Sequence, residues 1–171
     1  GSNVFLPVLS NVYTLENVFS GFLYREESFF ALEEFLCLGI DFNLILKQLL
    51  SLATEVHFLH AKGYLTRSLS LSNIQVSANS HWKFKRIMNF CIVGQCEPFY
   101  YLPPREFTPE KPEHQSFTSD SFHFGRLMID VFQRILTAEM KIPVLTLIYP
   151  LIARLRMHFA WRRPDFSFIC S

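Results

Sequence analysis

Residues 60–74 read His60-Ala61-Lys62-Gly63-Tyr64-Leu65-Thr66-Arg67-Ser68-Leu69-Ser70-Leu71-Ser72-Asn73-Ile74, and the fold turns on this run. Before it, Leu44, Ile45, Gln48, Leu49, Leu52, Val56 and Leu59 recur at three- and four-residue steps, the period of a helix that buries one face. Asp41 stands at the N-cap position and Gly63 where the helix stops. After Gly63 the period is lost, and Tyr64 to Ser72 mixes polar and apolar residues as a loop crossing a core does. Ile74-Gln75-Val76 and Trp82 to Ile87 then alternate in the strand manner around the polar turn Ser77 to Ser80. A helix, a crossing loop and a tight hairpin are expected in that order.

Working outward, Val4 to Leu9 and Val18 to Tyr24 read as two strands of a small sheet. Ser28 caps a short helix from Phe29 to Leu38, which Gly39 ends. Downstream, Gln95 to His114 is rich in proline and reads as an extended loop. Asp120 to Leu136 is a second long helix and Val144 to Phe159 a third. Gly1-Ser2 reads as a cleavage scar. With no internal repeat, low-complexity tract or linker, the pattern is one unit of the α+β class, mainly α.

Half of the 171 residues are hydrophobic, 19 are Phe, and 18% are charged, which excludes a disordered, coiled-coil or collagen-like chain. Sixteen Lys and Arg against fifteen Asp and Glu leave a formal charge of +1, so no global field draws the chain to nucleic acid or an anionic membrane. A mean hydropathy of +0.19 requires a large core or an apolar surface that waits for a partner. Cys37, Cys91, Cys96 and Cys170 form no C-x-x-C pair. With no signal-peptide pattern, free thiols in a reducing, intracellular and cytoplasmic setting are expected. Ile142 to Ala153 is apolar, but it holds Pro143 and Pro150 and is too short to span a bilayer; membrane insertion is not expected.

Several texts along the chain resemble the protein kinase superfamily. Residues 60–74 resemble the kinase catalytic loop, whose core is H-R-D-x-x-x-x-N. Ile87-Met88-Asn89-Phe90-Cys91 stands where that family has D-F-G. Tyr101-Leu102-Pro103-Pro104-Arg105-Glu106-Phe107 is similar to the A-P-E segment. Ser119-Asp120-Ser121-Phe122-His123-Phe124-Gly125 is similar to the text opening the buried helix of the large lobe. Arg162-Arg163-Pro164-Asp165-Phe166 resembles the R-P-x-F element near the end of the domain. Five such texts in family order span nearly the whole chain, and 117–125 leans toward the tyrosine kinases and their tyrosine-kinase-like relatives. The resemblance implies a kinase-like large (C-terminal) lobe with short β-hairpins and a small lobe that is largely missing. Residues 3–40 would be the residual small-lobe strands, the hinge and the first large-lobe helix. Residues 41–171 would be the large lobe, the two together forming one domain. The six glycines form no G-x-G-x-x-G, and neither the phosphate-covering loop nor the strand lysine has a counterpart.

The substitutions within these texts remove chemistry. The catalytic-loop Asp falls on Ser68, neutral at pH 7 and no base without an activator. The metal-binding Asp of D-F-G falls on Asn89, whose neutral amide is a poor partner for a hard cation. Cys91 takes the place of the Gly that lets the following segment swing, and Thr66 the place of the His beside the arginine. Asn73 survives at the second metal position, but one neutral ligand makes no magnesium site, so no ATP or Mg²⁺ binding and no other cofactor is expected. What the resemblance retains is structural. Arg67 matches the family arginine. Asp120 is expected to be buried and to accept hydrogen bonds from the catalytic-loop backbone. Arg163 would pair with the A-P-E glutamate, where strict alignment places Arg105 and moves the acid to Glu106.

Other features carry less. His57 and His60 could hold a metal but lack a third ligand, so a pair of partly buried histidines is expected. Glu26-Glu27 and Glu33-Glu34 are read as solvated charge. Lys83, Lys85 and Arg86 with Trp82 and Phe84 between them are read as a hairpin face rather than a nucleic-acid strand. Arg154, Arg156, Arg162 and Arg163 have a better claim on an acidic partner. Phe22, Phe29, Phe30, Phe35, Phe42, Phe58 and Phe90 fall on the expected core and cleft floor, part of it left uncovered, so a protein partner or a homodimer through apolar surface is expected. The sequence therefore reads as a catalytically inactive kinase-like domain, a pseudokinase, serving as a protein-interaction or allosteric signalling module. The rival is a degenerate kinase that keeps nucleotide binding or weak phosphoryl transfer.

Overall fold

The computed structural model describes residues 8–13, 19–24, 29–87, 89–96 and 108–171. Helices dominate and the sheets are small and antiparallel. Strands β1 (Val8–Tyr13) and β2 (Phe19–Tyr24) pair antiparallel, Asn11 opposite Phe22. Strand β3 (Phe29–Ala31) runs directly into α1 (Leu32–Leu36). The long helix α2 (Phe42–Ala61) begins at Asp41, whose carboxylate accepts from Leu44 N at 3.2 Å, and Gly63, at φ +84°, turns the chain out of it. Strand β4 (Tyr64–Leu65) leads through the crossing loop to β5 (Ile74–Ser77) and β6 (Trp82–Phe84). β7 (Cys91–Ile92) pairs back onto β4. Three helices complete the chain: α3 (Phe117–Ile135), α4 (Ala138–Leu155) and α5 (Phe166–Cys170).

The core lies where the periodic face of α2 meets α3. Ile45, Leu52, Ala53 and Val56 are sealed from solvent against Leu127, Val131 and Phe132, and Leu155 and Phe166 close the far side. Trp82 and Phe84 point into the same core, so the half-basic strand has no aromatic face on which bases could stack.

Several boundaries differ from the sequence reading: β1 runs on to Tyr13 rather than ending at Leu9, β6 ends at Phe84 rather than Ile87, and α1 and α4 end at Leu36 and Leu155 rather than at Leu38 and Phe159. Residues 29–31, expected to open a helix, are extended, because their backbone pairs with the outer edge of β5, Phe30 opposite Val76. A non-local ladder overrides the local pattern there. Helix α3 starts at Phe117 rather than Asp120, since Ser119 Oγ accepts from Ser116 N at 3.0 Å and satisfies an N-terminal donor one turn earlier. Helix α4 starts at Ala138 and runs through both Pro143 and Pro150. Both prolines lie on its exposed side, where the carbonyls they leave unbonded can meet water.

The expectation of four free thiols is also corrected. The β4–β7 pairing and the turn at Gly94, φ +82°, bring Cys91 and Cys96 within 5.4 Å between Cα atoms, and they are joined as a disulfide. Cys37 and Cys170 are free. Among the described residues no group of three or more His, Cys, Asp or Glu could hold a metal, and no helix is long and apolar enough to cross a membrane.

Gly125 of α3 packs tightly against the C-terminal end of α4. A Cβ there would lie 2.9 Å from Leu155 Cβ and 2.9 Å from Arg156 Cγ. Alanine is the better helix former by about 1 kcal/mol, but the overpacking costs typically about 1–3 kcal/mol. The expected outcome for Gly125→Ala is a net loss of roughly 1 kcal/mol in urea unfolding, against the gain that helix propensity alone would give.

Candidate functional site

The crossing loop is organised around one buried carboxylate. Asp120 sits in the first turn of α3 with no exposure to solvent. Its Oδ2 accepts from Thr66 N at 2.8 Å and its Oδ1 from Arg67 N at 2.8 Å. His60 Nε2, on the last turn of α2, lies 2.8 Å from Oδ2. Burial by itself would raise the Asp120 pKa. The hydrogen bond and electrostatic pull of His60, the Thr66 N–H and the nearby His123 outweigh it and hold the carboxyl below its ordinary value. The His60 ring is clamped between Phe117 and Phe166, at 4.7 and 5.1 Å between centroids.

From this anchor the loop extends across the core. Thr66 is fully buried in the place where the resemblance puts a His. Arg67 takes a left-handed conformation, φ +51°, and is itself buried, with Nε donating to Asn89 O at 2.6 Å. A non-glycine residue held there persists only where its surroundings over-determine it, and here backbone and side chain are both tied. Asp120, Arg67 and Asn89 thus join three separated parts of the chain. Ser68 and Asn89 are both buried, at 3% and 6% exposure. Asn73 closes the 3-10 turn Leu71–Asn73 and works as a staple. Its Nδ2 donates to Ser68 O and Arg86 O at 3.2 and 2.9 Å, and its Oδ1 accepts from Arg86 N at 2.9 Å. An ion at this position would have to compete with those bonds for a neutral oxygen.

Cys91 is fixed on both sides, by its pairing with Leu65 in β4 and by its bond to Cys96. Glu106, with Tyr100, Tyr101 and Arg105, lies outside the described residues. Among the described residues the acid that meets Arg163 is Glu110. Arg163 Nη2 lies 2.5 Å from Glu110 Oε1, and the guanidinium also donates to the carbonyls of Met157, His158 and Thr118 at 2.6, 2.7 and 3.1 Å. Thr108-Pro109-Glu110 matches Ala-Pro-Glu at two of three positions. That text was the signal for Glu110, eclipsed in the sequence by the similar Pro104-Arg105-Glu106 just before it. Arg163 is buried and cannot join a surface cluster with Arg154, Arg156 and Arg162. Those three lie over Phe168, Phe122 and Trp161 respectively.

His57 and His60 do not act as a pair: one is exposed and the other holds Asp120. Beside them is a pocket of about 200 Å³ lined by His57, His60, Phe117, Asp165, Phe166 and Ser167. It is below the usual range of ligand sites, roughly 300–1,000 Å³, and lies on the α2–α5 side. Phe35 is core, whereas Phe30 and Phe58 are half exposed.

No family model matches the chain. It is 30% identical over 100 residues to a mouse protein named protein-associating with the carboxyl-terminal domain of ezrin; the match takes in 48% of this chain and 14% of that protein. The chain therefore spans a small part of the relative's length.

Proposed function

We propose that the chain is a catalytically inactive protein kinase-like domain that works as a protein-interaction or allosteric module. The observation that carries this reading is the loop at Asp120. Its support is complete, with a buried carboxylate, two backbone donors, a histidine and a tethered arginine. The positions that would do phosphoryl chemistry in a kinase hold a buried serine and a buried asparagine. Phosphoryl transfer is largely positioning and electrostatics, and this loop keeps the positioning without the charges. The staple role of Asn73 further disfavours a magnesium site. A protein partner is in keeping with the relative, whose name describes an association with part of another protein. The reading places the module inside the cell. There the Cys91–Cys96 bond would be reduced, and the β4–β7 hydrogen bonds would hold the segment without it.

The test is the thermal transition of the purified chain with and without Mg·ATP, and with ATP in EDTA. A ligand at a hundred times its dissociation constant adds about 2.7 kcal/mol, which at about 2–4 °C per kcal/mol raises the midpoint by roughly 5–10 °C for a domain of this size. The expected result is no shift. A shift that requires Mg²⁺ would restore the enzyme reading.

A further inference from the structure

The outer face of α4 is apolar, exposed and bounded by opposite charges. Between Lys141 and Arg154 the helix carries no charged side chain. Val144, Ile148, Ile152 and Leu155 turn inward to the core. On the opposite side Ile142, Leu147 and Tyr149 are 78%, 81% and 65% exposed, with Pro143, Thr146, Pro150 and Ala153 among them. At 100° per residue Pro143, Thr146, Pro150 and Ala153 share one face with Glu139 at the start of the helix and Arg154 at its end, with Leu147 on the flank beside Arg154 and Ile142 and Tyr149 on the other flank. An uncharged face of this kind is not left bare on a stable monomer without reason.

We infer that this face of α4 packs antiparallel against the same face of a second copy of the chain, Glu139 of each copy opposite Arg154 of the other. The charges select the occupant. Glu139 and Arg154 are equally distant from the point between Thr146 and Leu147, so a two-fold axis there brings each acid onto the partner's base. The same axis puts Leu147 of each copy halfway along the contact, on the flank beside Arg154, and sets the two helix dipoles antiparallel. Within one chain the two charges are about 22 Å apart along the axis at 1.5 Å per residue and cannot pair. A parallel arrangement would set like charges against each other. Arg154 is held in place by its stacking over Phe168, 4.9 Å from the ring centroid. The inference stands on α4 alone and does not depend on the kinase reading.

The experiment is sedimentation velocity of the purified chain over a wide concentration range, with five samples. The unaltered chain is expected to show a monomer–dimer equilibrium. Leu147→Glu, at a position too exposed to matter for folding, is expected to weaken it by about a hundredfold, since the charge enters the apolar contact twice. Glu139→Arg and Arg154→Glu are each expected to weaken self-association by roughly tenfold, two like-charge pairs being created in each dimer. An equimolar mixture of those two variants is expected to recover the dimer, because each pair then joins an arginine to a glutamate. A monomer at every concentration would overturn the inference. So would a dimer indifferent to Leu147→Glu, or a mixture that associates no better than its components.

Discussion

Asp120→Asn is expected to cost about 3–5 kcal/mol of folding stability, the usual consequence of breaking a buried charged pair by changing one partner. The amide keeps the shape but replaces a carboxylate that accepts from Thr66 N, Arg67 N and His60 Nε2 in a fully buried site. One of its two terminal atoms becomes a donor facing donors. Single domains have about 5–15 kcal/mol in total, and the midpoint should fall by roughly 6–20 °C at about 2–4 °C per kcal/mol. The loss should also be pH-dependent, and the sign follows from the lowered pKa of Asp120. The folded state binds the proton less readily than the unfolded one. The stabilisation is therefore fully present above the unfolded value near 3.8, and it is lost as pH falls through the lower folded value. Urea unfolding at several pH values should show the gap between wild type and Asp120→Asn wide at neutrality and closing below about pH 4. Asp165 is lowered too, by Ser167 and Phe168, but it is exposed and its share is screened. A gap that stays constant with pH would mean that Asp120 binds its proton equally well in the folded and unfolded chain, and a gap that widens as the pH falls would mean that the folded chain holds the carboxyl protonated.

Arg163→Met is expected to be comparably costly, about 3–5 kcal/mol. It strips the partner from Glu110 and leaves the carbonyls of Met157, His158 and Thr118 without their donor. Arg163→Lys should recover only part of this, because a single ammonium cannot reproduce the planar fork that reaches three carbonyls and a carboxylate together. A double-mutant cycle with Glu110→Gln separates the ion pair from the carbonyl contacts. Coupling above about 1 kcal/mol is expected for two groups in direct contact. A cycle that closes near zero would assign the whole effect to the carbonyls.

How much of this was legible in the sequence depended on where each residue's partner lies along the chain. The helix α2 could be read because its apolar period, its Asp41 cap and its Gly63 stop are all local. Burial of Asp120 was legible through the resemblance of residues 119–125 to the text that opens the buried helix of a kinase large lobe, which implies an aspartate that accepts from the crossing-loop backbone. The identity of its third donor was not. His60 looked like half of a histidine pair with His57, and only the packing of α2 against the start of α3 sends the two in different directions. Residues 29–31 were misread for the same reason, since β3 exists only because β5 offers an edge to it. The disulfide was hidden because Cys91 and Cys96 meet through the β4–β7 pairing and the turn at Gly94, neither of which has a strong local pattern. Glu110 was overlooked because four glutamates, Glu97, Glu106, Glu110 and Glu113, lie within one proline-rich stretch, and local text cannot choose between them.

The loss of phosphoryl chemistry at Ser68 and Asn89 is the central claim, and direct transfer tests it most plainly. The purified chain would be incubated with Mg²⁺ and ATP labelled on its terminal phosphate. Label on the chain itself and on a mixed protein substrate would be followed beside a Ser68→Ala, Asn89→Ala variant. The account predicts no label above that of the variant. Label that rises with time in the unaltered chain and disappears in the variant would contradict it.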